Sequence, residues 1–167
     1  GFITASYNPL KVPNAPTIGT ATAGSTQATI TFTAPSNVGA SAITSYIAVA
    51  TKTSDGTAVS ATGTSSPITI TGMTNGSAYT IQVCAVNTYG PGPYSAPSGS
   101  VTPFSPVLYS WGENNAGQLG QNDKVYRSSP VQVGSSTGWT LIAGGGEQIA
   151  VIKSDGTLWS VSYTHLR

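Results

Sequence analysis

The sequence predicts an all-β protein, and three observations carry this prediction. With Gly 20 and Pro 11 among 167 residues, the chain favours many turns and few long helices. Apolar residues alternate with threonines in several short runs, which is the period-two pattern of a half-buried strand. These runs recur along the chain at the spacing of a β-sandwich, with turn-forming residues between them.

Composition also limits the classes of partner that we expect. Only 7% of the residues are charged, against about 25% in an ordinary protein, and the formal net charge is +1. Nucleic-acid binding therefore lacks the basic stripe that would neutralise phosphates. No apolar run approaches the roughly 18 residues of a membrane helix, so membrane insertion is not expected. A single cysteine excludes an internal disulfide.

The chain opens on a segment that we interpret as separate from the first domain. Residues 1–12 are expected to be a linker or the remnant of a preceding domain, and the absence of an initial Met indicates a longer parent protein. The breaker Pro13-Asn14-Ala15-Pro16 then begins a new unit, which we expect to span residues 13–103.

The first clear strand of that unit is Gln27–Thr33, with Ala28, Ile30 and Phe32 on one face. The third strand is expected over Ile43–Thr51, followed by a turn at Asp55-Gly56.

The stretch Pro67–Tyr94 predicts two more strands. Ile68 and Ile70 alternate with threonines, and Asn75-Gly76 supplies residues that tolerate a tight reversal. The next strand places Tyr79, Ile81, Val83 and Ala85 on one face. We expect the two strands to form a hairpin that the rest of the domain covers, with Ala96–Thr102 as the closing strand.

Residues 13–103 resemble a fibronectin type III domain. The resemblance lies in the proline-bounded entry, in Tyr46 and in the stretch GMTNGSAYTIQVCAVNTYGPGPYSAPS. It implies a seven-stranded sandwich with a tyrosine corner at Tyr79, whose ring packs inside while its hydroxyl bonds to nearby backbone. Phe32 stands where the family usually has Trp, and Met73 where it usually has Leu.

Beyond a short linker at residues 104–106, the composition changes. Leu108-Tyr109-Ser110 recurs as Leu158-Trp159-Ser160, an offset of 50 residues that is typical of a propeller blade. The stretch WGENNAGQLG resembles the most specific motif of the regulator-of-chromosome-condensation repeat. This resemblance covers residues 107–160 and implies one incomplete four-stranded propeller blade, although Gln148 stands where that family usually has His.

The last residues depart from the repeat. A continuing repeat would read Trp-Gly where this chain has Val161-Ser162. Residues 161–167 are therefore interpreted as a truncated or foreign tail, with a genuine terminal segment as the alternative.

No pattern in the chain predicts catalysis, a cofactor or a metal site. The only histidine, His165, lies in that tail, and the acids Glu113, Asp123, Glu147 and Asp155 are not paired at helical or strand spacing. The glycines at residues 144–146 lack the Lys-Ser/Thr of a phosphate loop, so we expect a turn there.

Candidate partner-binding residues lie in two places. Alternation turns Ile47, Val49, Cys84 and Val86 outward, and the type III resemblance implies that their two strands are neighbours. The four residues therefore predict either an apolar docking strip or ordinary β-branched residues on an exposed strand. The loop Thr88–Tyr94 offers Tyr89 and Tyr94 as contact residues, with a plain spacer loop as the alternative. The tryptophans, which we expect to be blade core with a sugar platform as the alternative, are Trp111, Trp139 and Trp159.

Together these features predict a non-catalytic structural, spacer or adhesion module of a larger secreted, cell-surface or phage-tail protein. Its location would be extracellular, on the cell surface or on a virion. Its partners would be a protein or a surface glycan, besides neighbouring domains of the same chain. Two alternatives remain open: an accessory module of a secreted polysaccharide-degrading enzyme, and an intracellular interaction propeller.

Overall fold

The computed structural model describes residues 11–145 and 148–161. Over these residues the chain divides between Phe104 and Ser105 into two compact units. None of the described residues belongs to a helix long and apolar enough to cross a membrane. The expectations for residues 1–10, for Gly146 and Glu147, and for the end of the chain from residue 162, which includes His165, lie outside the described residues.

The first unit is a β-sandwich of seven strands, which confirms the predicted fold class. One sheet has three strands in the order β1-β2-β5, and the other has four in the order β4-β3-β6-β7, all antiparallel. The strands are β1 (Thr17–Gly24), β2 (Gln27–Thr33), β3 (Ile43–Lys52), β4 (Ala58–Gly63), β5 (Ile68–Thr71), β6 (Tyr79–Asn87) and β7 (Gly90–Pro91).

The core between the two sheets consists of the residues that alternation turned inward. Ile30, Ile70 and Ile81 are each fully buried, and each such side chain contributes about 1.5–3 kcal/mol by leaving water. Phe32 packs on Tyr46 with ring centroids 4.7 Å apart, so the phenylalanine fills the position where the type III family usually has Trp.

The predicted hairpin of β5 and β6 does not form. β5 pairs with β2, whereas β6 pairs with β3 in the opposite sheet, so residues 72–78 cross from one sheet to the other. Gly76 does have a positive φ of 77°, as a tight reversal requires. The Tyr79 hydroxyl accepts a hydrogen bond from the Thr74 N–H at 3.0 Å, which is the tyrosine corner that the resemblance implied.

The closing strand also differs from the expected Ala96–Thr102. In the segment that follows β6, regular pairing with β6 is limited to Gly90–Pro91. An isolated bridge further along joins Val101 to Tyr79. Between these points Ser95 and Ser98 follow β6 with their backbone and their hydroxyls, since each hydroxyl accepts a β6 N–H. Three prolines, at positions 91, 93 and 97, remove N–H donors along this edge and so disfavour pairing with another chain.

The second unit contains five strands in two sheets: β8 (Val107–Gly112) pairs with β9 (Arg127–Thr137), and β10 (Trp139–Gly145), β11 (Gln148–Lys153) and β12 (Leu158–Val161) form a second sheet. The chain is therefore a sandwich followed by a partial propeller blade, as predicted. The blade strands do not make one four-stranded sheet, however, because no pairing joins β9 to β10 among the described residues.

A buried asparagine organises the long connection between β8 and β9. The Asn114 side chain is fully buried, donates from Nδ2 to the Asp123 carbonyl at 2.8 Å and accepts from the Leu119 N–H at 2.9 Å. Asp123 also pairs with Arg127 at 2.6 Å. Hydrogen bonds thus hold this loop in shape, with only Ala116 and Leu119 as buried apolar residues within it.

Candidate interaction surface

The four strip positions predicted on β3 and β6 do come together on the outer face of the four-stranded sheet. Ile47 lies directly opposite Cys84, Val49 lies opposite Gln82, and Val86 is one step further along β6. Their side chains therefore form a diagonal row across two adjacent strands. Ile47, Val49 and Val86 are half-buried rather than fully exposed.

Cys84 requires a correction, because it is completely buried although its strand position faces outward. The Tyr94 hydroxyl is close enough to act on the pKa of the Cys84 thiol, which it lowers against the larger effect of burial, so the Tyr94 side chain lies near the strip. Burial raises the pKa of the Cys84 thiol, and burial likewise raises the pKa of the Tyr94 hydroxyl. Cys84 therefore lies beneath the exposed surface of the strip in this chain.

The irregular closing strand explains how Tyr94 reaches this position. The N–H of Gly92 donates to Ala85, that of Ser95 to Val83 and that of Ser98 to Ile81. Three residues of the closing segment thus span the same length as two residues of β6. Simple alternation fails along such a segment, and Tyr94 becomes part of the strip instead of the loop to which we had assigned it.

Tyr89 lies at a different place from the strip. It occupies the two-residue turn between β6 and β7, its side chain is 54% exposed, and the Lys11 ammonium sits 5.5 Å from its ring centroid. The neighbouring Asn87 is buried, and its Nδ2 donates to the carbonyls of Lys11 and Val38 at 2.8 and 3.0 Å. Tyr89 is thus presented by a rigid end of the sandwich, apart from the other candidate residues.

The outer face around the strip is uncharged. The outward positions beside the apolar row on β3, β4 and β6 carry hydroxyls and one amide, and Gln82 is engaged with the Ser95 carbonyl at 2.9 Å. An uncharged apolar row bordered by hydroxyl groups suits contact with a protein surface of similar polarity.

In the second unit, the structure reveals a cluster that our sequence reasoning did not find. Trp139 and Trp159 meet edge to face with centroids 6.2 Å apart, and the Lys153 ammonium lies 5.1 Å from both rings. Trp139 sits opposite Lys153 in the β10–β11 register, while Trp159 belongs to the next strand. The sequence contains the residues of this cluster, but only the pairing of β10 with β11 places Trp139 opposite Lys153. That pairing could not be derived from the sequence pattern.

The acids of the described residues have structural partners. Asp123 holds Arg127 and Asn114, and Asp155 accepts hydrogen bonds from the Thr157 N–H and hydroxyl at 2.9 and 2.6 Å. The hydrogen bond from the Thr157 hydroxyl is the main cause that lowers the pKa of Asp155. Across residues 11–145 and 148–161, no three His, Cys, Asp or Glu side chains are grouped so that they could hold a metal ion.

Comparison with known families agrees with both halves of this architecture. The fibronectin type III domain model matches residues 14–101, more than half of the chain, and the regulator of chromosome condensation (RCC1) repeat matches residues 107–152. The chain belongs to the fibronectin type III family and carries an RCC1 repeat after that domain. No curated protein sequence shows a significant match.

Several solved structures are similar to this chain. A fragment of titin, domains A168–A170, is 23% identical with a TM-score of 0.48 over 55% of this chain; the FN5 domain of Drosophila Lar is 24% identical with a TM-score of 0.46 over 56%. The twitchin kinase region of C. elegans is 16% identical with a TM-score of 0.52 over 89%. The chain covers 32%, 98% and 31% of these three structures, respectively.

The two matched domains indicate a modular protein of the protein-interaction type. Fibronectin type III domains and RCC1 repeats are typically non-catalytic and belong to modular proteins that act through protein–protein interaction. Fibronectin type III domains are also common in extracellular proteins.

Proposed function

We propose that this chain is a spacer and adhesion module of a larger extracellular, cell-surface or virion protein. In this proposal the sandwich holds neighbouring modules at a set distance, and its outer sheet face docks a protein partner. The residues 13–103, 104–106 and 107–160 would then act as sandwich, connector and propeller part.

The observation that carries the proposal is the apolar row on the outer face of β3 and β6. Ile47, Val49 and Val86 are half-buried, and Tyr94, beside Cys84, extends the row as a residue that is 47% exposed. Large apolar groups side by side on an uncharged face lose contact with water when a partner covers them.

A protein is a better occupant of this surface than a glycan. A sugar ring needs several hydrogen-bonding groups directed at it in addition to an aromatic face, whereas Gln82 already donates to the Ser95 carbonyl. Tyr is enriched at the centre of protein interfaces, and that centre is typically apolar and uncharged.

Charge substitution on the strip tests the proposal. Val49→Glu and Val86→Glu each place a carboxylate in the row. We expect each to weaken assembly of the parent protein with its protein partner at least about tenfold, because an unpaired charge must be desolvated in the interface. Analytical ultracentrifugation of the parent protein with its partner measures this effect.

Thr71→Glu is the matched control, because Thr71 is exposed on β5 in the opposite sheet. It introduces the same charge and should leave assembly unchanged. If both strip variants assemble as the wild type does, the strip is not a docking surface.

A further inference from the structure

The tryptophan pair of the second unit has a geometry that suits a cation. Its two indole rings are nearly perpendicular, at 84°, and one ammonium group lies at the same distance of 5.1 Å from both centroids. This distance is within the roughly 6 Å over which a ring face attracts a cation. The site of Trp139 and Trp159 is called the tryptophan pair below.

Both rings are held in place by the protein and not by the lysine. The Trp139 indole N–H donates to the Ser136 carbonyl at 2.9 Å, and the Trp159 indole N–H donates to the Thr157 hydroxyl at 3.2 Å. Thr157 is itself fixed by Asp155. The rings are therefore positioned by β10, β12 and the turn between β11 and β12, so that the pair should persist when its cation is removed.

The lysine that fills the site is held weakly. In the described parts of the chain, the Lys153 ammonium forms neither a short ion pair nor a hydrogen bond; besides the two aromatic faces, only the Asp155 carboxylate attracts it, from a longer distance. A primary ammonium gives up hydrogen bonds to water when it takes such a position. A quaternary ammonium group has no such bonds to lose, and it suits a site that offers two ring faces and a carboxylate beyond hydrogen-bonding distance.

The site is also open to a ligand. Trp159 is 52% exposed, and both tryptophans line a concave apolar site of about 230 Å³ together with Ile142 and Val151. A bulky alkylammonium head can therefore approach the rings without unfolding of the strands.

We propose that the tryptophan pair is a recognition site for quaternary or methylated ammonium groups, and that Lys153 is its internal occupant in the free protein. A ligand with such a head group displaces the lysine, whose side chain then swings into solvent. This site lies in the repeat unit and is independent of the docking strip on the sandwich.

Choline and dimethylbutanol, its uncharged carbon isostere, are the probes. In the full chain carrying Lys153→Ala, tryptophan fluorescence should report saturable choline binding at least about tenfold tighter than in the wild type and at least about tenfold tighter than dimethylbutanol. Trp159→Leu in the same background should abolish it. Lys52→Ala is the matched control, because Lys52 precedes an equivalent turn in the sandwich and pairs with Asp55, with no tryptophan in contact.

A second measurement uses the unmodified chain and does not depend on the folding of a variant. In the wild type, ring currents should shift the Lys153 ε-methylene protons upfield in NMR spectra, and choline should return them toward the position of a free lysine. Dimethylbutanol binding as tightly as choline, absence of binding to Lys153→Ala, or a Lys153 signal unaffected by choline would each overturn the proposal.

Discussion

The sandwich and the repeat unit bury their apolar residues very differently. The sandwich has a continuous core, from Ala28 and Ile30 through Ile81 to Val101, in which no member is more than 8% exposed. In the repeat unit, Leu141 and Leu158 are 60% and 68% exposed. The sandwich therefore satisfies its own hydrophobic surface, whereas the repeat presents faces of the kind that adjacent blades cover.

Resistance to proteolysis should show the largest difference between the two units. We expect residues 13–103 to stay intact while residues 107–160 are cut at least about tenfold faster, because the repeat unit opens at a lower free energy. Mass spectrometry of a limited digest identifies the cleavage sites. Equal resistance of the two units would show that the repeat is stabilised without its neighbours.

Two substitutions that shorten a side chain to alanine compare the burial of apolar residues in the sandwich and in the repeat unit. Ile81→Ala removes a fully buried side chain of the sandwich core and should lower the free energy of unfolding by about 2–5 kcal/mol. Leu141→Ala removes a side chain that is 60% exposed, and we expect a change within about 0.5 kcal/mol. Denaturant unfolding of both variants measures the two values. A cost for Leu141→Ala close to that for Ile81→Ala would mean that Leu141 is covered in solution.

The smallest effect concerns a type of turn that occurs in each unit. Asp55 and Asp155 are each followed by Gly-Thr, and each carboxylate accepts bonds from the N–H and hydroxyl of that threonine. The Thr57 hydroxyl, with the Thr57 N–H and Lys52, lowers the pKa of Asp55 to about 2. An unfolded aspartate has a pKa near 3.9, so the unfolded chain binds the proton first as the pH falls.

The contribution of Asp55 to stability is therefore present above about pH 4 and is lost as the pH falls toward 2. Thr57→Val removes the hydroxyl and should reduce this loss, which melting temperatures of the sandwich between pH 5 and pH 2 would reveal. Thr157→Val makes the matched change in the repeat and should leave the pH dependence of the sandwich unaltered. A pH dependence of the sandwich that Thr57→Val leaves unchanged would exclude this role for Asp55.

Local sequence patterns predicted β2, β3, β5 and β6 and their inward faces, but they did not predict the pairing of β5 or the course of the closing strand. The alternation around Ile68 and around Ile81 specified two strands correctly, because side-chain period depends on the backbone alone. The strands with which they pair depend instead on how the whole domain covers its apolar faces. β5 therefore joined β2 in one sheet, while Tyr79 began a strand of the other.

The predicted positions of the candidate residues agree with the structure in part. Strand period placed Ile47, Val49 and Val86 together on the outer face, where the structure has them. The burial of Cys84 was missed because Tyr94 belongs to a segment in which three residues match two, a feature without a period. The Lys153 cluster was missed because it joins three strands whose register the sequence does not state.

The bonds of Asn87 also bear on how the sandwich would respond to mechanical force. One amide group ties Lys11, near the start of the domain, to the loop at Val38 and to the end of β6. At the C-terminal end of the domain, the Pro103 carbonyl accepts a hydrogen bond from the Gly76 N–H, and the Phe104 N–H donates to the Gly24 carbonyl. Tension applied through the two ends of the module thus first meets hydrogen bonds to loop residues and to the last residues of β1 and β6. In an array of modules under tension, these two sets of bonds would be the first to carry the load.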